Sequence, residues 1–353
     1  FTKIDTGIDC WGRTVVFRDF NGDGLVDFFV PDHGYDQPPF PGSQDQLIFQ
    51  TSDGNLIDKT SELIPVLSDF SHGGTTIDIG NNGVYDIVVN QGGGQKYLKN
   101  YNGVYSVYNE IFNPPINFNQ DLPVYGHPVI NGQTDLSKWY NSITGWSSNS
   151  GDFNNDGYDD LILGGTNGGS NGEGVNNSGR TDYINDPFGN ILDRCDIILY
   201  QNNTTGNLEY KYPQSVITYL SDTEDSMLVT ISILVNDFNS DGCLDYVTYS
   251  SDYYTEHRLE FRISDCNGGY STVKFSLPKI DYLWEDFDLV DIDNDGDQDV
   301  IISNNIGWNN HPNTVREQHL VFTNNGGEFN MREGEVVDIQ SLPPHFGVDW
   351  YDN

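Results

Sequence analysis

Asp152-Phe-Asn-Asn-Asp-Gly-Tyr-Asp-Asp160 places four aspartates within nine residues, around a single glycine. The same pattern, D-x-[DN]-x-D-G-x-x-D, recurs at Asp19-Phe-Asn-Gly-Asp-Gly-Leu-Val-Asp27, Asp237-Phe-Asn-Ser-Asp-Gly-Cys-Leu-Asp245 and Asp291-Ile-Asp-Asn-Asp-Gly-Asp-Gln-Asp299. A degraded copy stands at Asp78-Ile-Gly-Asn-Asn-Gly-Val-Tyr-Asp86, and the five first aspartates are spaced by 59, 74, 85 and 54 residues. Self-similarity at intervals of this size marks a repeat architecture.

Working outward, each copy is preceded by a short apolar run, such as Thr14-Val-Val-Phe17, and followed at once by another. The following runs are Phe28-Phe-Val30, Ile87-Val-Val89, Leu161-Ile-Leu163, Tyr246-Val-Thr-Tyr249 and Val300-Ile-Ile302. Short β-branched and aromatic runs bounded by Gly, Asn and Asp read as strands, so the motif is the loop of a hairpin. A third strand, a turn and a fourth strand follow, as in Leu47-Ile-Phe49, Ser52-Asp-Gly54 and Leu56-Ile57. Four antiparallel strands, repeated five times, make the blades of a β-propeller.

Composition agrees with an all-β class. The 353 residues include no Ala, the commonest helix builder, but 38 Gly, 21 Tyr and 19 Phe. We expect one domain over residues 1–353, with blades at 10–66, 73–112, 143–218, 226–279 and 283–339. Residues 1–9 and 340–353 read as single strands of a split blade, with further strands expected beyond Asn353. Residues 113–142 and 166–192 show no periodicity of their own and read as inserted surface loops.

The spacing of the motif has a chemical reason. Side-chain oxygens at positions 1, 3, 5 and 9 of a tight loop converge on one centre, position 7 offers a backbone carbonyl, and the glycine at position 6 permits the turn. The candidate ligands are Asp19, Asn21, Asp23, Leu25 and Asp27; Asp152, Asn154, Asp156, Tyr158 and Asp160; Asp237, Asn239, Asp241, Cys243 and Asp245; and Asp291, Asp293, Asp295, Asp297 and Asp299. In the degraded loop only Asp78, Asn82 and Asp86 remain, because Gly80 and Asn82 replace two ligand positions and leave only two carboxylates. A set of hard oxygens without His or Cys side chains selects Ca²⁺, and four to five ions are expected. The loops are not EF-hands, whose twelfth position is Glu, since Val30, Leu163, Thr248 and Ile302 stand there. The alternative reading is a hairpin turn rich in Asx side chains and free of metal.

A net charge of −37 repels phosphates and anionic headgroups, so neither nucleic acid nor a membrane surface is an expected partner. No run of 18 apolar residues is present, so no membrane-inserted segment is expected. The four cysteines, Cys10, Cys195, Cys243 and Cys266, form no C-x-x-C pair. Disulfides in an oxidising compartment follow, with Cys243 and Cys266 at the same edge of one repeat as the expected bridge and free buried thiols as the alternative.

Ser147-Ser-Asn-Ser-Gly-Asp-Phe-Asn-Asn-Asp-Gly-Tyr-Asp-Asp-Leu-Ile-Leu-Gly-Gly165 resembles the FG-GAP/VCBS repeats of integrin α-subunit propellers and of many secreted proteins. The resemblance extends through the repeats along the chain. It implies an extracellular propeller of six to seven blades, with Ca²⁺ serving the fold in the hairpins of one face. It also implies ligand recognition by the loops of the opposite face. Here those loops hold His33, Tyr35, Tyr253, Tyr254 and Trp308, whose aromatic rings beside Asn and Asp suit contact with a protein or a glycan. Trp11, Trp146, Trp284 and Trp350 lie before or in first strands and read as core.

The expected function is therefore a secreted, non-catalytic adhesion or ligand-binding module, whose partner is an extracellular protein or glycan. One alternative is a structural subunit that assembles with copies of itself. Another is a polysaccharide lyase or hydrolase, but the seven His are scattered and neither H-E-x-x-H nor G-x-S-x-G occurs. Glycosylation sequons stand at Asn176, Asn202 and Asn203.

Overall fold

The computed structural model describes residues 10–12, 14–35, 42–91, 94–108, 111–113, 129–130, 133–134, 143–167, 184–185, 191–194, 197–210, 218–219, 229–251, 257–278, 284–304 and 319–332. Over them the chain is all-β, with one short helix. Blade I comprises β1 (Val16–Arg18), β2 (Asp27–Val30), β3 (Gln46–Gln50) and β4 (Leu56–Asp58), and α1 (Thr60–Leu63) follows it. Blade II comprises β5 (Ser71–Ile77), β6 (Asp86–Gln91), β7 (Gly94–Tyr101) and β8 (Val104–Val107). Next come β9 (Phe112–Asn113), β10 (Val129–Ile130) and β11 (Gln133–Thr134).

Blade III opens with β12 (Ile143–Gly151) and β13 (Asp160–Asn167). The short strands β14 (Ile184–Asn185) and β15 (Ile191–Arg194) intervene before β16 (Ile197–Gln201) and β17 (Leu208–Tyr210) complete the blade, and β18 (Thr218–Tyr219) follows. Blade IV is β19 (Val229–Asn236), β20 (Asp245–Ser251), β21 (His257–Ser264) and β22 (Tyr270–Ser276). Blade V is β23 (Trp284–Val290), β24 (Asp299–Asn304), β25 (His319–Asn325) and β26 (Glu328–Arg332).

Each blade is an antiparallel meander in which every strand pairs with its neighbour in sequence. The first strands stand side by side in chain order, β5 against β1 and β12, then β12 against β19 and β19 against β23. In blades II to V the first strand carries a bulge, at Ser71/Gly73, Gly145/Ser147, Thr230/Ser232 and Trp284/Asp286. One extra residue in a strand sharpens its twist, and the recurrence gives successive blades the same twist.

Apolar side chains pack between blades. Ile87, Val89 and Leu98 of blade II meet Phe29 and Leu47 of blade I. Tyr97, Leu161, Leu163, Ile198 and Tyr246 join blades II, III and IV. Between blades IV and V, Phe261 is fully buried and stacks on Phe329 at 3.7 Å, with Phe238 edge-on at 5.6 Å. Strands buried on both faces read as continuous apolar runs, and β20 is buried along its whole length. The fourth strands of blades I, II, IV and V are edges, and β22 is half exposed along its length.

Three expectations need correction. Phe112, assigned above to blade II, belongs to β9, which joins blade III as a fifth strand parallel to β17. The insertions are not wholly loops, since β10 pairs with β11 and β14, β15 and β18 form a small sheet. Pairings of two or three residues carry no periodicity that sequence patterning can register. Trp11 is not core: it is 53% exposed and stands edge-on to Tyr35 at 6.4 Å. A residue ahead of a first strand packs only if its flank faces a neighbouring blade, and local sequence does not encode that.

Replacing Phe261 by Ala removes the ring that links two other buried rings and should destabilise the fold by about 3–5 kcal/mol. Denaturant unfolding of the variant against the parent chain checks this.

Candidate functional site

The five acidic hairpins join the first and second strands of their blades and share one hydrogen-bond ladder. The first aspartate accepts the N–H of position 5 on one oxygen, at 2.9–3.1 Å, and the N–H of position 6 on the other, at 2.7–3.2 Å. The side chain at position 5 accepts the N–H of position 7 at 2.8–3.0 Å. Such local Asx bonds shape the loop before any ion arrives and turn the oxygens of positions 1 and 5 inward.

The backbone reverses at two left-handed positions. Position 6 is Gly24, Gly83, Gly157, Gly242 or Gly296, with φ from 78° to 100°. Position 4 is also left-handed, at Gly22, Asn81, Asn155, Ser240 and Asn294. Sequence reading overlooked position 4. The available signal was that every copy has Gly, Asn or Ser there, of which Gly and Asn tolerate this conformation best.

Position 9 does more than offer a ligand. Asp27, Asp160, Asp245 and Asp299 are fully buried. One oxygen of each accepts the N–H of position 2, from Phe20, Phe153, Phe238 and Ile292. The other accepts an N–H near the end of the third strand, from Gln50, Gln201, Ser264 and Asn324. All eight bonds are between 2.7 and 3.0 Å. The carboxylate thus ties loop, second strand and third strand together, and each of its oxygens keeps a further lone pair.

The second loop differs. Asp86 accepts the Asn100 N–H at 2.6 Å, but its other oxygen takes the Tyr97 hydroxyl. Gly80 donates its N–H to Gln201 Oε1 at 2.6 Å, and Asp78 donates its N–H to Asp159 Oδ2 at 3.1 Å. Asp159, unremarked in the sequence because it sits at a non-ligand position of the third loop, therefore serves the loop beside it.

The oxygens in the fifth loop have the spacing a cation needs. Carboxylate oxygens of Asp291, Asp293 and Asp299 lie within 4.8 Å of one another, and an ion held at about 2.3–2.6 Å from each ligand requires such a separation. Near Asp241 the sulfurs of Cys243 and Cys266 fall within the same limit. They are joined as a disulfide across 5.6 Å between Cα atoms, which confirms the expected pairing and leaves Cys243 its carbonyl as a ligand atom.

Burial pushes Asp160 up to about 7 and Asp245 up to about 6, against the backbone N–H groups that favour their charged forms. Asp27, Asp86 and Asp299 are raised for the same reason. Each hairpin therefore presents a carboxylate that burial penalises when charged, a demand that a bound cation meets.

On the opposite face the aromatic candidates separate. Tyr35 is 57% exposed, whereas His33 is buried beside Phe70 and stacked on His72 at 6.0 Å, so His33 is not a contact residue. Tyr253, Tyr254, Trp308 and Asn176 lie outside the described residues. Asn203 is exposed in the turn between β16 and β17, and Asn202 in that turn donates to Glu209 at 3.0 Å. Among the described residues no helix is long and apolar enough to cross a membrane.

A family model for the FG-GAP repeat matches residues 144–181, which include the third acidic hairpin. No curated protein matches the chain in sequence. Among solved structures, an Agrocybe aegerita lectin described by its specific recognition of non-reducing terminal N-acetylglucosamine shares 14% identity over 90% of this chain, at a TM-score of 0.46. The chain spans 65% of that lectin's length. BBS1N, in a complex with ARL6DN soaked with mercury, shares 12% identity over 85% of this chain and 79% of its own, at a TM-score of 0.38.

The raised carboxylates fix the sign of the pH response without metal. The folded chain holds these protons at about 7 and about 6, the unfolded chain near 3.8. Acidification across that window therefore favours the folded state. In EDTA, Tm should rise as pH is lowered from about 8 to about 5, and a thermal melt series checks this.

Proposed function

We propose, from the FG-GAP repeat at residues 144–181 and the acidic hairpins of its blades, that this chain is a secreted, calcium-stabilised β-propeller serving as a non-catalytic adhesion or ligand-binding module. The observation that carries the reading is the shared hairpin: four complete loops present the same oxygens on the same ladder, each beside a buried carboxylate. In every complete loop positions 1, 3, 5 and 9 supply side-chain oxygens and position 7 a carbonyl. This hard set suits Ca²⁺, whose flexible coordination accepts a crowded carboxylate cage. The ion would neutralise carboxylates and brace the hairpin.

The Cys243–Cys266 disulfide fits an oxidising compartment, and extracellular Ca²⁺ would keep weak sites filled. Recognition falls to the other face, where Trp11 and Tyr35 form an exposed aromatic corner. That corner is held from behind. Gly12 bridges to Asp32, the Asp32 carboxylate accepts the Gly34 N–H at 2.7 Å, and Asp45 accepts the Asp32 N–H at 2.9 Å. Two large rings on a fixed backbone bind at little entropic cost. An extracellular protein or a glycan is the partner they suit.

Extracellular Ca²⁺ modules bind at about 0.1–1 mM, so ~1–2 mM Ca²⁺ adds about 0.4–1.8 kcal/mol per site. In a chain of this length 1 kcal/mol moves Tm by about 1.3 °C. With four sites, EDTA at neutral pH should lower Tm by about 2–10 °C, and unchanged melting would refute the calcium reading.

Glycan and extracellular-protein arrays probed with the chain in Ca²⁺ test recognition. Trp11→Ala and Tyr35→Ala should each weaken the captured signal about tenfold, roughly 1.4 kcal/mol, with unchanged circular dichroism. Full binding by the double variant would remove this surface from the proposal.

A further inference from the structure

The second loop is built differently from the other four, and what surrounds it says why. Its third position is Gly80 and its fifth Asn82, so the side-chain ligand of position 3 and the carboxylate of position 5 are gone. Three acids nevertheless gather there: Asp78 and Asp86, both nearly buried, and Asp159 from the third loop, whose carboxylate accepts the Asp78 N–H. One protein cation stands beside the loop. Arg18, at the end of β1 in blade I, donates through Nε and Nη2 to Thr76 Oγ1, both at 3.1 Å, and its guanidinium lies 4.2 Å from the centre of the Tyr85 ring.

The backbone of this loop is engaged across the seam between blades II and III. Gln201 accepts the Gly80 N–H and donates to the carbonyls of Asp78 at 3.3 Å and Asp159 at 2.8 Å. Asn81 donates to the Gly157 carbonyl at 2.9 Å. In the fifth loop, Arg332 approaches Asp293 at 3.3 Å, but both partners there are solvent-accessible and the four ligand carboxylates remain.

We infer that the second loop is a metal-free clasp. Arg18 sets a fixed positive charge beside it, and the loop fastens blades I, II and III on the loop face whatever the Ca²⁺ concentration. This inference rests on the reading that the complete loops hold Ca²⁺. The protein would then carry four ions in its five described hairpins, with one joint that stays closed when they leave.

Native mass spectrometry of the whole chain in Ca²⁺ tests the count. Four ions are expected, with four retained by Asp78→Asn and three by Asp156→Asn. Five ions falling to four in Asp78→Asn would overturn the clasp alone. No ions would overturn the calcium reading and the clasp's contrast with it. Melting supplies the second readout: Arg18→Gln should lower Tm by the same number of degrees in Ca²⁺ and in EDTA, with partial recovery in Arg18→Lys. A loss confined to Ca²⁺ would overturn the clasp. Should Arg18→Gln not fold, Arg18→Lys alone is compared between the two conditions, with the same expected equality.

Discussion

A buried aspartate that accepts two backbone N–H groups, one from its own loop and one from the third strand, is the interaction on which each complete blade depends. Asp27, Asp160, Asp245 and Asp299 occupy this position in four blades, and Asp86 keeps the half that reaches the third strand. A blade of four short strands has little to set its register beyond side-chain alternation, and a slip of one residue would turn its apolar set outward. A carboxylate fixed at the loop, bonded to the third strand, allows one register. It also places the residue at position 2 against the core, where Phe20, Phe153 and Phe238 are buried.

This clamp is costly when charged and unaccompanied. Burial raises all five carboxylates, and the nearby acids at positions 1, 3 and 5 add repulsion in several loops. Two N–H bonds offset part of that cost, and a cation in the loop would offset more. Structural need and the proposed metal affinity would thus be two consequences of one placement. The second loop illustrates the dependence: where ligand groups are missing, a tyrosine hydroxyl takes one oxygen of the clamp and Arg18 stands over the neighbouring Tyr85 ring.

Much of this was legible because the motif is local. Nine residues fix a hairpin, the hairpin fixes two strands, and the repeat fixes a blade, so strand order followed from spacing, and the blade layout made Cys243–Cys266 the expected bridge ahead of free thiols. The rest depends on neighbours in space. Trp11 and His33 exchange their expected places, the first exposed and the second buried, because the flank of a blade and not its own sequence decides what covers a side chain. Asp159 looked like a spare acid until blade II stood beside it, and β9 joins a sheet whose strands lie far along the chain. The left-handed residue at position 4 left a compositional trace, although Ser240 weakens the pattern.

The loops are also joined to one another. Asn81 reaches the Gly157 carbonyl, Asn155 reaches the Cys243 sulfur at 3.1 Å, and Asn324 reaches the Phe238 carbonyl at 2.8 Å. Loops II to IV therefore form a hydrogen-bonded series, tied at loop IV to β25 of blade V, along a face that carries many of the chain's 53 acidic residues. Such a face repels itself unless cations enter it, and exposed charges interact over roughly 10 Å at ordinary ionic strength. Neutralising one loop relieves its neighbours as well as itself, so the bracing of each blade is shared along the series. The opposite face lacks these loops, which leaves its surface, including Trp11 and Tyr35, free to serve recognition without disturbing what holds the blades together.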